Sequence, residues 1–117
     1  MGTIFLDIDG VLFYNNGSFE DSIAGINSVI NGAKEKMHEW RRLGYKIILT
    51  TARPEGSREI TMKQLEEAGL NLWNVLLMEI PSPRILINDK HDGKNMAYAY
   101  NIDRNVGIGI IKHRNEL

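Results

Sequence analysis

Five apolar runs of strand length, at residues 3–8, 45–50, 74–78, 84–88 and 106–111, are separated by stretches of helical period. Such alternation predicts a parallel sheet with crossover helices, since parallel neighbours need a helix-length connection and read as near-continuous apolar runs. The first helix carries Ala33, Met37 and Trp40 at the helical interval, with Gly44 as its left-handed stop. The second runs from Ser57 as N-cap through Ile60, Leu65 and Ala68 to Gly69, and a third covers residues 93–101 with Met96 and Tyr100 four apart. The expected fold class is therefore α/β, a doubly wound parallel sheet of about five strands in the order 3-2-1-4-5. Asn15-Asn16-Gly17, set between residues 11–14 and Ser18-Phe19, predicts a β-hairpin flap directly after strand 1.

With 117 residues the chain has one domain's worth of core, read as a single domain over residues 1–117 with no cap. A 43% apolar share and 25% charged share, with no long apolar run, exclude a fibrous chain, bulk disorder and a membrane span. Fourteen basic against fifteen acidic residues give a net charge of -1, which removes the footprint of a general nucleic-acid binder. Any anionic ligand must then be met by local charges. The absence of cysteine removes thiolate metal sites and thiol nucleophiles. Met1-Gly2-Thr3-Ile4-Phe5-Leu6-Asp7 has no basic segment before a carboxylate interrupts it, so the expected location is cytoplasmic.

Chemistry-bearing residues gather at strand ends. Strand 1 closes in Asp7-Ile8-Asp9-Gly10, strand 2 in Thr50-Thr51-Ala52-Arg53, and strand 4 in Asn88-Asp89-Lys90. In the expected order these ends are neighbours at the switch point beside strand 1, where open α/β sheets bind ligands. Three carboxylates gathered there repel one another unless a cation joins them, and Mg²⁺ suits a ligand set made only of oxygens. The Gly10 turn, Ala52 and Arg53 are the expected contacts for a phosphoryl group held against that metal. Adjacent side chains on a strand face opposite ways, so only one of Thr50 and Thr51 can serve the site.

These segments resemble the motifs of the haloacid dehalogenase-like (HAD) phosphatase superfamily. Asp7-Ile8-Asp9-Gly10-Val11-Leu12 resembles its first motif, Thr51-Ala52-Arg53-Pro54 its second, and Leu86-Ile87-Asn88-Asp89-Lys90 its acidic fourth, so the likeness spans residues 3 to about 112. The resemblance implies a Rossmann-like fold, a flap, and the capless build of the small members. It further implies Asp7 as the nucleophile that becomes an aspartyl-phosphate, Asp9 as general acid/base, and Thr51 as a hydrogen-bond donor to the transferring group. Asp7, the backbone carbonyl of Asp9, and Asp89 would hold Mg²⁺. A carboxylate at Asp9 resembles the phosphatase branch, not the dehalogenase or phosphonatase branches.

Two positions depart from the pattern. Where the family places a lysine after strand 3, this chain reads Met78-Glu79-Ile80-Pro81-Ser82-Pro83, and Asn88 stands where many relatives have a second acid. Lys90, directly after Asp89, is the expected replacement cation, with Arg53 as competitor. Arg84 opens strand 4 and is placed about 13 Å from Asn88, at roughly 3.3 Å per residue. Asp92 is a substitute for the lost acid. The resulting reading is a Mg²⁺-dependent phosphomonoesterase acting on a small phosphorylated metabolite, by analogy a sugar phosphate. A phosphorylated macromolecule is the alternative substrate, and a homo-oligomer is compatible with the sequence. The alternative function is a non-catalytic or weakly active phosphate- or metal-binding regulatory module, which Ile80 and Asn88 suggest. A receiver-like domain fits worse, because its acceptor Asp ends a later strand.

Overall fold

The computed structural model describes residues 1–15, 17 and 28–111. Strand β1 (Thr3–Asp7) pairs in parallel with β2 (Lys46–Thr50), and β2 in parallel with β3 (Val75–Leu77), giving the sheet order β1-β2-β3. Asp7 stands opposite Thr50, and Thr50 opposite Leu77, so the three carboxyl ends finish level. The crossovers are helix α1 (Ala33–Arg42) and helix α2 (Arg58–Glu67), the latter entered through a 3₁₀ turn at Glu55–Ser57.

The two helices are built differently. On α1 the residues Ala33, Met37 and Trp40 are buried at the intervals their spacing predicts, and burying a side chain of Met or Leu size contributes about 1.5–3 kcal/mol. Gly44 (φ 91°) ends it, donating to the Arg41 carbonyl while Tyr45 N–H reaches the Trp40 carbonyl. On α2 the buried positions are Thr61, Gln64 and Leu65, whereas Ile60 is 51% exposed. The face expected to be apolar is thus half polar, for a reason that lies in the site it covers. Ser57 occupies the N-cap position, but its hydroxyl donates to the Pro54 carbonyl instead of capping α2.

The described sheet is the 3-2-1 half of the expected order. Residues 84–88 form no strand, and Ile85 and Ile87 are 84% and 90% exposed. Helix 93–101 is replaced by a two-stranded antiparallel ladder, β4 (Lys90–His91) with β5 (Lys94–Asn95). The cause is Asp92-Gly93: both take positive φ (50° and 75°), the pair of left-handed residues that a two-residue hairpin turn demands. The expected fifth strand is a 3₁₀ turn at Ile108–Ile110, with Gly107 at φ 92° before it. Ile108 nevertheless joins the core, so the segment packs without entering the sheet.

After β1 the chain turns sharply. Val11, Leu12 and Phe13 N–H groups all reach the Ile8 carbonyl, and Gly10, at φ 89°, donates to the Phe13 carbonyl. Tyr14 N–H then bonds the Ser28 carbonyl and Ile30 N–H the Leu12 carbonyl. Residues 12–14 therefore pair with residues 28–30, and the tight hairpin expected through Asn16 and Ser18-Phe19 lies outside the described residues. None of the helices among the described residues is long and apolar enough to cross a membrane.

Candidate active site

At the carboxyl end of the sheet lies an open cleft of about 570 Å³, walled by the turn after β1, the loop after β2 and two distant segments. Asp7, Asp9, Gly10, Thr51 and Ala52 line it, together with Arg84 and Arg104. The level strand ends bring the first five together. The loops after β2 and β3 are laced by Thr51 N–H to Leu77 carbonyl (3.0 Å), Ile80 N–H to Thr51 carbonyl (2.9 Å) and Glu79 N–H to Arg53 carbonyl (3.0 Å). Thr50 and Thr51 divide as strand geometry requires: Thr51 lines the cleft, whereas the Thr50 hydroxyl lies 3.5 Å from the Leu6 carbonyl.

Asp7 is partly buried. One carboxylate oxygen accepts from Ile8 N–H at 3.0 Å and lies 3.4 Å from Arg84 Nη1. Burial pushes its pKa above the ordinary carboxylate value, against the opposing pull of Arg84. Asp9 is held differently. Arg53 donates to both of its oxygens, Nε at 2.8 Å and Nη2 at 2.7 Å, a bidentate fork. Nη1 of Arg53 is spent on Thr61 (3.2 Å) and Gln64 (2.8 Å), which explains the two buried polar residues of α2. The guanidinium also stacks over Phe13, 5.9 Å from the ring centre, and its side chain is 2% exposed. Arg53, expected as a phosphate contact, thus directs its Nε and both Nη atoms at protein acceptors.

The strand-4 residues fall elsewhere. Asp89 and Lys90 are exposed and do not line the cleft, because residues 84–88 form no ladder with β1 that would carry them to Asp7. The cation beside Asp7 is Arg84. Its expected distance assumed a strand alongside β1; instead its Nη2 donates to the Ile80 carbonyl at 2.8 Å and its Nη1 faces Asp7. Asp92 is also outside, 3.4 Å from His91 at the hairpin. Sequence reasoning named Arg84 among the nearest replacements for the lysine but ranked it below Lys90 on distance, and it missed two features: the Thr61–Gln64 support for Arg53, and Arg104 in the cleft wall. Thr61 and Gln64, polar residues three apart where an amphipathic helix should be apolar, were a readable signal for a buried charge beneath α2. If Arg84 is the working cation, Arg84→Ala should lower kcat roughly ten- to a hundredfold with intact folding, while Lys90→Ala changes it less than threefold. Steady-state phosphate release on the two variants makes that comparison.

Among the described residues no three His, Asp or Glu side chains converge on a metal position. The donors at the cleft still suit Mg²⁺, which is commonly bound through one or two carboxylates with water and substrate phosphate completing its shell. Asp7 presents a second carboxylate oxygen that none of the described bonds uses, and the Asp9 carbonyl is likewise outside the described hydrogen bonds.

Compared with known proteins, the chain matches the family model for the HAD superfamily, subfamily IIIB (acid phosphatase), over residues 6–108. No curated protein and no solved structure matches it. The match begins one residue before Asp7 and takes in the whole described cleft, Arg84 and Arg104 included. The chain belongs to the subfamily IIIB acid phosphatases of the HAD superfamily and is a phosphoric monoester hydrolase.

Proposed function

We propose that this protein is a Mg²⁺-dependent phosphomonoesterase that works through an aspartyl-phosphate on Asp7. The observation that carries the reading is the meeting, in one open cleft, of the Asp7 and Asp9 carboxylates with the hydroxyl residue Thr51 and the Arg84 cation. A carboxylate oxygen of Asp7 attacks phosphorus in line as the ester P–O bond breaks, and the departing oxygen takes its proton from Asp9. Water then attacks the acyl phosphate, gives its proton to Asp9, and frees inorganic phosphate from Asp7. Arg84 and the Thr51 hydroxyl face the equatorial oxygens, whose charge they offset. Mg²⁺, held by Asp7 and the Asp9 carbonyl, would supply further charge neutralisation at those oxygens.

Asp89 and Lys90 belong to this reading only in the five-strand order. The edge of β1 not paired to β2 is free of described partners, and the exposed run 84–88 has the apolar character of a strand that would fill it. In that arrangement Asp89 becomes a third ligand and Lys90 a second cation. We take the whole chain as one capless domain, whose open cleft favours a small phosphorylated metabolite and leaves room for a phosphorylated macromolecule.

The test is a phosphate-release screen over phosphorylated metabolites, with Asp7→Asn as blank. Release should require Mg²⁺, stop reversibly on chelation and resume on adding the ion back. Ca²⁺, larger and tolerant of higher coordination, should bind without comparable turnover. Full activity in excess EDTA would remove Mg²⁺ from the mechanism.

A further inference from the structure

Among the described residues that line the cleft, Arg104 is the charged group that the reaction above does not use. Its side chain lines the same wall as Asp7, Asp9 and Arg84, and among the described residues no carboxylate lies within 4 Å of it. The other two arginines of the site are partnered, Arg84 to Asp7 at 3.4 Å and Arg53 to Asp9 at 2.7 Å. With a net charge of -1 on the chain, a general basic surface does not account for Arg104 here.

Its position is built. The turn that carries it is stapled to the segment after β1 by three hydrogen bonds: Asn105 N–H to the Gly10 carbonyl (2.8 Å), Asn15 N–H to Asn105 Oδ1 (2.6 Å), and Asn105 Nδ2 to the Asn15 carbonyl (3.2 Å). Asn105 holds φ 68°, a left-handed conformation that a non-glycine residue adopts at some cost. Across the staple, the Arg104 stem passes so near Gly10 that a Cβ there would lie 3.2 Å from Arg104 Cγ. Glycine beside Asp9 therefore makes room for the stem of Arg104, whose exposed head stays at the cleft.

We propose that Arg104 binds a second anionic group of the substrate, a carboxylate or a second phosphate, while the scissile phosphate sits at Asp7. The substrate class is then a small organic phosphate bearing another acid, a narrower class than the sugar phosphate expected from sequence. The proposal rests on the phosphatase reading for the scissile end. A planar guanidinium fits either anion bidentately, and a stem fixed over Gly10 loses less freedom on binding. Asn15 and Asn101 line the same cleft and offer neutral donors beside it.

The test compares pairs that differ only in the second acid: 3-phosphoglycerate with glycerol 3-phosphate, and fructose 1,6-bisphosphate with fructose 6-phosphate. Arg104→Gln should lower kcat/KM for the doubly anionic member of at least one pair about tenfold more than for its partner, mainly through KM, as loss of one charge-assisted contact implies. The first pair responding alone identifies a carboxylate, the second alone a phosphate. Equal changes within both pairs would overturn the proposal. If the wild type hydrolyses none of the four, calorimetry decides the Arg104 site apart from turnover, while the phosphate-release screen decides the phosphatase reading. The doubly anionic compounds should then bind Asp7→Asn about tenfold more tightly than Asp7→Asn/Arg104→Gln, and equal affinities would refute it.

Discussion

Asp7→Asn is expected to release no phosphate from any substrate the wild type accepts, a loss of at least about four orders of magnitude, as for removal of a covalent nucleophile. An amide oxygen cannot form and release an acyl phosphate, and among the described residues that line the cleft the one other carboxylate, Asp9, is held by Arg53. The same variant should be more stable than the wild type at neutral pH when Mg²⁺ is chelated. Burial raises the folded-state pKa of Asp7, with Arg84 opposing, so the ionised form is disfavoured in the folded protein. For a carboxylate raised in this way, the stability it contributes is complete below its ordinary pKa. It is lost as pH rises through the folded-state value. Asn never ionises, so the gap in Tm between variant and wild type should be widest near neutrality and shrink toward acid. Thermal unfolding across pH reads the second effect, and phosphate release reads the first. Residual turnover in a highly purified Asp7→Asn sample would move the nucleophile elsewhere.

Local signals in this chain are honest over short spans. Gly44 and Gly69 stop their helices with positive φ, and Met37 and Trp40 bury where their spacing says they should. Asp92-Gly93 is as legible, and weighing it above the Met96–Tyr100 interval would have given the hairpin in place of the third helix. What the sequence could not say is which strands are neighbours. Residues 84–88 are apolar enough for a strand, yet apolarity carries no information on pairing, and Asp89 and Lys90 depend on that pairing for any role near Asp7. The Asp7–Asp9–Thr51 grouping is legible because it needs only the two adjacent strands β1 and β2 to end level. Arg53 marks the limit in the other direction. Its place at a strand end shows that it is near the site, and only Thr61, Gln64 and Asp9 together show where its donors go.

Arg53→Met is expected to be the most damaging substitution outside the nucleophile, in stability and in rate. Methionine roughly fills the space of the stem, but it leaves the Asp9 carboxylate, only 20% exposed, without its fork, and it removes the guanidinium donor that Thr61 and Gln64 share under α2. Removing one partner of a buried pair costs about 3–5 kcal/mol, so the variant should be assayed well below its lowered Tm, with circular dichroism confirming the fold. The effect on rate depends on what Asp9 does. If Arg53 sets the orientation of the general acid/base, its loss should lower kcat/KM by roughly two to three orders of magnitude for an alkyl phosphate, whose leaving oxygen needs a proton. For 2,4-dinitrophenyl phosphate, whose leaving group departs unprotonated, kcat/KM should fall far less, because this ratio reports only events up to formation of the aspartyl-phosphate. Arg53→Lys should rescue little, since a point charge cannot span both oxygens of Asp9. Asp9→Asn should show the same leaving-group dependence, and the double variant should lose much less than the sum, as coupled partners do. The competing role, direct contact with the substrate phosphate, gives a different signature: kcat/KM falling equally for both leaving groups and an additive double variant. That result would return Arg53 to the phosphate and leave Asp9 to be oriented by the turn at Gly10 alone.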